Sequence, residues 1–178
     1  MHYRLLIGFY GGMFGLSLGL GYGLGLFDTL PSWITGWSTW ASLGALMVAL
    51  FSAALMLWLS GKVAALYELC HELSHALPAR DWKWNLSAGL ASGFVEEFAF
   101  RGVGLALIGP FWSSIIFGML HLGWKRSMWL WPFYAALIGW ALACLTEFTG
   151  NIWPAVIFHA VYNAILLQTM DRVLGNRK

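Results

Sequence analysis

The chain has 178 residues, which is room for one domain and not comfortably for two. Hydrophobic residues make up 60% of it and charged residues 10%, against the roughly one quarter charged residues of a soluble domain, so an ordinary soluble fold is excluded. The formal net charge is +2, and no basic cluster exceeds Lys125-Arg126 or Arg177-Lys178, so there is no electrostatic footprint for nucleic acid. The two cysteines, Cys70 and Cys144, support neither a disulfide framework nor a four-ligand metal cluster. Abundant Trp and Gly fit a membrane protein, with Trp at the interfaces and Gly in closely packed helices.

Arg4 precedes an uncharged run, Leu5–Phe27. It is longer than the apolar core of a signal peptide, and no convincing cleavage site precedes Asp28, so a retained helix is expected. Crossing the hydrocarbon core takes about 20 apolar residues in a helix. Five further segments qualify: Trp40–Leu59, Leu86–Ile108, the short Phe111–Trp124, Met128–Leu145 and Ile152–Met170. The fourth must start inside the Gly109-Pro110 turn or sit partly sunk between its neighbours. The first segment carries Gly11, Gly15, Gly19 and Gly23, a smooth ridge where another helix can come close. Packing inside the monomer is the favoured reading of that ridge, and a homodimer the other.

Between the second and third segments, Val63, Leu66, Leu69, Cys70, Leu73 and Leu77 recur at helical spacing. Glu68, His71, Glu72 and His75 form the opposite stripe. This pattern predicts an amphipathic helix at the interface. With six spans, Arg4, Lys62, Arg80, Lys83, Lys125, Arg126, Arg172, Arg177 and Lys178 all fall on one side, and the other side's loops carry only Asp28 and Glu147. Positive loops stay cytoplasmic, so both termini are expected there. The expected fold is all-α: a single polytopic membrane helix bundle over residues 1–178, with about six transmembrane helices plus one amphipathic interfacial helix. It divides into two N-terminal spans (1–61), an amphipathic linker (62–83) and a core (84–170). An integral position in a bacterial inner or plasma membrane is expected.

The third segment holds Glu96, Glu97 and Arg101 near its middle. Ionisable groups at that depth cost at least ~2.5–3.5 kcal/mol each on insertion scales, so they face the bundle interior and have partners. Glu97 and Arg101 are four apart and can pair on one face. Glu96 points about 100° away and is free for another role. His121 ends the fourth segment one turn after Phe117. His159 and Asn163 share a face of the sixth. A buried imidazole can serve as base, acid, donor or ligand, and an amide can donate to a developing oxyanion. No Ser/His/Asp set or Cys/His pair is apparent. Paired acids with two histidines therefore suggest activation of a water rather than a protein nucleophile. Structural glue is the bland reading of such pairs, and three polar sites on three membrane helices count against it.

The ordered set Glu96-Glu97-x-x-x-Arg101, Phe117-x-x-x-His121 and His159-x-x-x-Asn163 resembles the CPBP (Abi) intramembrane proteases. That group includes the type II CAAX prenyl endopeptidases and bacteriocin-processing or self-immunity proteins. The likeness runs roughly from Leu86 to Leu167 and makes 84–170 the catalytic core. It implies a glutamic-type peptidase in which Glu96 activates a water together with His121. His159 and Asn163 would then stabilise the oxyanion, and the Glu97–Arg101 pair would support the site. It also implies a membrane-attached peptide or protein substrate, lipidated or not, and no required cofactor.

Two other readings stand beside it. His71-Glu72-Leu73-Ser74-His75 fits the zinc-protease pattern, with His71 and His75 as metal ligands and Glu72 as base. It lies in the charged interfacial segment, however, and its usual third ligand is missing: Asn151-x-x-Pro154 occurs with no Asp-Gly after it. Glu68 remains as a substitute ligand. A non-enzymatic alternative is a small-molecule-binding transporter subunit, with the buried acids and histidines binding substrate or relaying protons.

Overall fold

The structure is a computed structural model that describes residues 2–28, 36–76 and 81–175. Its helices are α1 (His2–Gly23), α2 (Thr39–Ser60), α3 (Ala64–Ala76), α4 (Trp82–Glu97), α5 (Leu105–Met119), α6 (Leu130–Thr149) and α7 (Trp153–Gly175). A π-helical turn, Phe98–Gly104, joins α4 to α5 without a break, and short 3₁₀ turns lie at Leu26–Asp28 and Arg126–Met128. No strand occurs among the described residues. The protein is an all-α membrane bundle. Four stretches are long and apolar enough to cross a membrane: Tyr3–Gly23, Thr39–Ser60, Trp82–Met119 and Arg126–Thr149. The third of these contains the third expected segment and the part of the fourth up to Met119.

Local chemistry sets the breaks. Ser38 caps α2 by accepting from the Ala41 N–H, and Asp81 caps α4 by accepting from the Trp84 N–H at 2.8 Å. Gly109 has φ 75° and is followed by Pro110, which together kink the chain between the third and fourth expected segments. That segment is shorter than expected: α5 ends at Met119, so His121 lies just beyond the helix. Gly150, in the left-handed region, ends α6.

α7 is the central element and packs chiefly against α4 and α2. Small residues permit this. Ala45, Ala49 and Ala53 of α2 meet Ala155, Phe158 and Tyr162 of α7. Gly89 and Gly93 of α4 lie so near α7 that an added Cβ would come within 2.7 Å of Ala164 and 2.6 Å of Ala160. α5 pairs with α6, where a Cβ on Gly118 would come within 2.5 Å of the Pro132 carbonyl oxygen.

The amphipathic segment forms as expected, with Leu69 and Cys70 buried and His71 and His75 exposed on α3. Burial pushes the Cys70 thiol up from its ordinary range. Lys125, after α5, donates to Glu72 of α3, so two of the cationic loops lie at the same end of the bundle. Leu77, Arg80, Arg177 and Lys178 lie outside the described residues. One expectation needs correction. Among the described residues, an added Cβ at Gly11, Gly15, Gly19 or Gly23 would meet nothing within 4 Å. The glycine ridge of α1 is therefore not packed within the monomer. α1 instead docks on α4 through Phe14, whose ring lies 5.8 Å from that of Phe94 and 5.0 Å from that of Phe98.

Candidate active site

The acidic pair ends α4, at the point where the helix widens into the π turn that carries Arg101. Such turns are frequent at functional sites. Glu97 and Arg101 are almost wholly buried, at 0% and 1% exposure. At that burial each charge needs its partner, and the Arg101 Nη1–Glu97 Oε1 distance is 3.0 Å. The guanidinium also lies over the Phe117 ring, 4.5 Å from its centroid. Gly139 of α6 leaves room for it, because a Cβ there would stand 2.7 Å from Arg101 Nη2. The Glu97–Arg101 pair read from the spacing is present, held between α4, α5 and α6.

α7 adds His159. Its Nδ1 lies 2.6 Å from Glu97 Oε1, and its Nε2 lies 3.7 Å from Glu96 Oε2. His121 enters from the turn after α5. Its Nδ1 lies 2.7 Å from the Phe117 carbonyl oxygen, one of the carbonyls a helix end leaves without an internal partner. A carbonyl only accepts, so Nδ1 carries the proton and Nε2 of a neutral ring presents a lone pair. That Nε2 lies 4.0 Å from Glu96 Oε2. Glu96 Oε2 is buried and makes no hydrogen bond among the described residues. Its other oxygen accepts from the Tyr10 hydroxyl of α1 at 3.1 Å.

Five of the six expected residues are thus linked through two carboxylates, with Arg101 and His159 at Glu97 Oε1 and both histidines facing Glu96 Oε2. The sixth, Asn163, lies one turn further along α7 and donates to Ser92 of α4 at 3.0 Å. It lines the same cavity as Glu96 and His121 but forms no hydrogen bond with them. The cavity is about 510 Å³ and mostly apolar, walled by residues such as Met13, Met56, Leu73, Phe100, Trp131 and Leu166. It can hold a peptide or acyl-like chain against a small polar end.

The zinc-like pattern stands apart from this cluster. His71 and His75 lie side by side, their Nε2 atoms 3.2 Å apart on the exposed face of α3. Glu72, which would be the base there, is engaged by Lys125, and that hydrogen bond holds its carboxyl below the usual carboxylate range. Among the described residues, no group of three or more His, Cys, Asp or Glu side chains is gathered so as to hold a metal ion.

Tyr10, Ser92 and Gly139 were not singled out from the sequence. Tyr10 sits on a glycine-rich helix with only apolar residues three and four positions away. Ser92, four residues before Glu96, shares its face and was the one readable signal.

Residues 78–165 match the family of the type II CAAX prenyl endopeptidase, Rce1-like. The chain is similar to this family over that segment, which is just under half of its length. The match takes in every residue of the cluster except Tyr10. A relative, the uncharacterized protein YpbD of Bacillus subtilis (strain 168), is 34% identical over 76 residues. That alignment covers 43% of this chain and 40% of YpbD, so the chain spans well under two thirds of that relative. No solved structure matches.

Proposed function

We propose that this protein is an intramembrane endopeptidase of glutamic type that cuts a membrane-attached peptide with a water activated by Glu96 and His121. One observation carries the reading. Glu96 Oε2, unpartnered among the described residues, faces His121 Nε2 at 4.0 Å and His159 Nε2 at 3.7 Å. That spacing lets one water bond all three atoms, and buried waters make two to four such bonds.

The chemistry follows from the groups present. Glu96 takes a proton from the water as its oxygen bonds to the scissile carbonyl carbon. The carbonyl oxygen becomes an oxyanion. His159, its Nδ1 held by Glu97, can donate to it from Nε2 when doubly protonated. Asn163 can turn its amide from Ser92 toward the same oxyanion. The proton held by Glu96 then passes to the leaving nitrogen, the C–N bond breaks, and a carboxylic acid and an amine result. Glu97 and Arg101 hold His159 in place and do not touch the substrate.

The apolar cavity supports a substrate with a long apolar portion, lipidated or simply hydrophobic, lying beside the scissile bond. No cofactor enters this scheme. The cationic loops support cytoplasmic termini, and the uncovered glycine ridge leaves a second copy of the chain as a proposed partner along α1.

The test is cleavage of lipidated and unlipidated peptides by the purified protein in liposomes. Wild type should cut. Glu96→Ala, His121→Ala and His159→Ala should each be inactive while still inserting. An active Glu96→Ala variant overturns the assignment. Absence of cleavage together with a copurifying small molecule would replace it with the transport reading.

A further inference from the structure

Glu96 is approached from four directions. Glu97 and Arg101 lie on its own helix and its π continuation. His121 comes from the turn after α5, His159 from α7, and Tyr10 from α1. The first four belong to the segment matched to the family, and Tyr10 lies some seventy residues before that segment begins. Tyr10 is also the one residue of the set whose hydrogen bond to Glu96 is already made, from its hydroxyl to Oε1 at 3.1 Å.

We propose that Tyr10 is a positioning residue for the catalytic carboxylate, so that α1 is part of the active site and not merely an extra span. The proposal rests on the reading of Glu96 as the base. The terminal torsion of a glutamate is broad and roughly two-fold, so a carboxylate with no fixed contact turns freely. A donor on Oε1 removes that freedom and leaves Oε2 as the oxygen that faces both imidazoles. Tyr10 also keeps the carboxylate at a distance from His159. At 3.7 Å, a small swing of Glu96 would make a direct Glu96–His159 bond and fill the place where a water must bind. The hydroxyl holds the base short of that collapse.

The placement of α1 supports this role. An added Cβ on its ridge glycines would meet nothing within 4 Å among the described residues, and much of the helix is exposed. Phe14, one turn after Tyr10, packs its ring against Phe94 of α4 and Phe98 of the π turn, and Leu18 joins the same apolar cluster. Phe94 and Phe98 flank Glu96 in sequence. The aromatic contact therefore fixes α1 at the level where the Tyr10 hydroxyl reaches the carboxylate. The next ring before it, Phe9, meets the Tyr10 ring edge-on at 5.1 Å and steadies it.

The experiment compares wild type, Tyr10→Phe and Glu96→Gln in liposomes by two readouts. Tyr10→Phe keeps the ring and removes only the donor. Its kcat should fall roughly tenfold with KM unchanged, as for loss of one hydrogen bond to a charged group. A merely structural role would move KM and thermal stability with kcat. The second readout needs no substrate: the rate at which a hydrophobic carbodiimide labels Glu96. A carboxyl freed of its donor should label several-fold faster in Tyr10→Phe, and Glu96→Gln should not label there. Wild-type kcat and unchanged labelling in Tyr10→Phe, with Glu96→Gln inactive, overturn the positioning role and leave the peptidase reading standing. If wild type cuts nothing, the peptidase reading fails and labelling alone decides: faster labelling supports the Tyr10–Glu96 tie, and an unchanged rate overturns it.

Discussion

His159 Nδ1 and Glu97 Oε1 lie 2.6 Å apart, and the same oxygen is 3.0 Å from Arg101 Nη1. One buried carboxylate oxygen thus anchors a cation of its own helix and an imidazole of another. It fixes which face of the His159 ring looks at Glu96. In the proposed scheme the supporting acid orients one histidine and the other acid is left for chemistry.

This arrangement predicts strong non-additivity. Glu97→Gln leaves the Arg101 charge buried without its counter-ion, and loss of one partner of such a pair costs about 3–5 kcal/mol. Arg101→Met leaves Glu97 in the same position. The double variant, with neither charge, should recover a large part of that loss in unfolding measurements in detergent micelles, yet stay poorly active because His159 has lost its anchor. Stability losses that simply add would mean the two residues do not depend on each other.

Much of this site was readable from the sequence, for a physical reason. A polar or ionisable group in a membrane helix is costly enough to require a partner, so Glu96, Glu97, Arg101, His159 and Asn163 stand out against apolar neighbours. Helical spacing then pairs Glu97 with Arg101. What spacing does not reveal is contact between helices. The Tyr10–Glu96 bond spans 86 positions, and a tyrosine in a membrane helix is too ordinary to attract notice. The direction in which a glycine ridge faces is equally invisible. The α1 ridge looked like a packing surface and is uncovered, whereas Gly89, Gly93 and Gly139, set in less regular surroundings, make the close approaches. The kink at Gly109-Pro110 was legible because both residues restrict the backbone in known ways.

Gly139 offers a test of how tightly Arg101 is held. In Gly139→Ala the new methyl would stand 2.7 Å from Arg101 Nη2 and 3.1 Å from Phe117 Cδ1. Both neighbours are buried and fixed, by Glu97 and by the stacked guanidinium respectively. Overpacking of this kind costs about 1–3 kcal/mol. Activity should drop by at least about tenfold, because a shifted Arg101 drags Glu97 and His159 with it. Gly15→Ala, on the open ridge of α1, should leave monomer stability unchanged. Equal thermal stability and activity for Gly139→Ala and wild type would contradict the packing described.

The Glu72–Lys125 tie should make the interfacial helix sensitive to acid. The Glu72 carboxyl sits below its ordinary range because Lys125 donates to it. A group depressed in the folded state contributes stability above its unfolded value, about 4.3 for Glu. That contribution fades as pH falls through the unfolded and then the folded value. The pair is exposed, so the effect is small and screened by salt. Between pH 6 and pH 3, wild type should lose slightly more thermal stability than Glu72→Gln. High salt should erase the difference. Matching pH slopes at low salt would rule the tie out as a contributor.

Removal of metal separates the glutamate-water scheme from the zinc-like motif. In the first, the nucleophile is a water polarised by Glu96 and His121, and the reacting atoms need no metal. In the second, His71 and His75 would hold zinc and Glu72 would be the base. Yet Glu72 already bonds Lys125, and the two rings lie on the outer face of α3 while Leu69, Cys70 and Leu73 of that helix line the cavity. A strong chelator with dialysis should therefore leave cleavage within about twofold of the untreated enzyme, since bound zinc supplies the activated water in a zinc peptidase and its loss abolishes turnover. His75→Ala should likewise stay active. Activity lost to chelation and restored by zinc, together with an inactive His75→Ala, would move the chemistry from the bundle interior to α3.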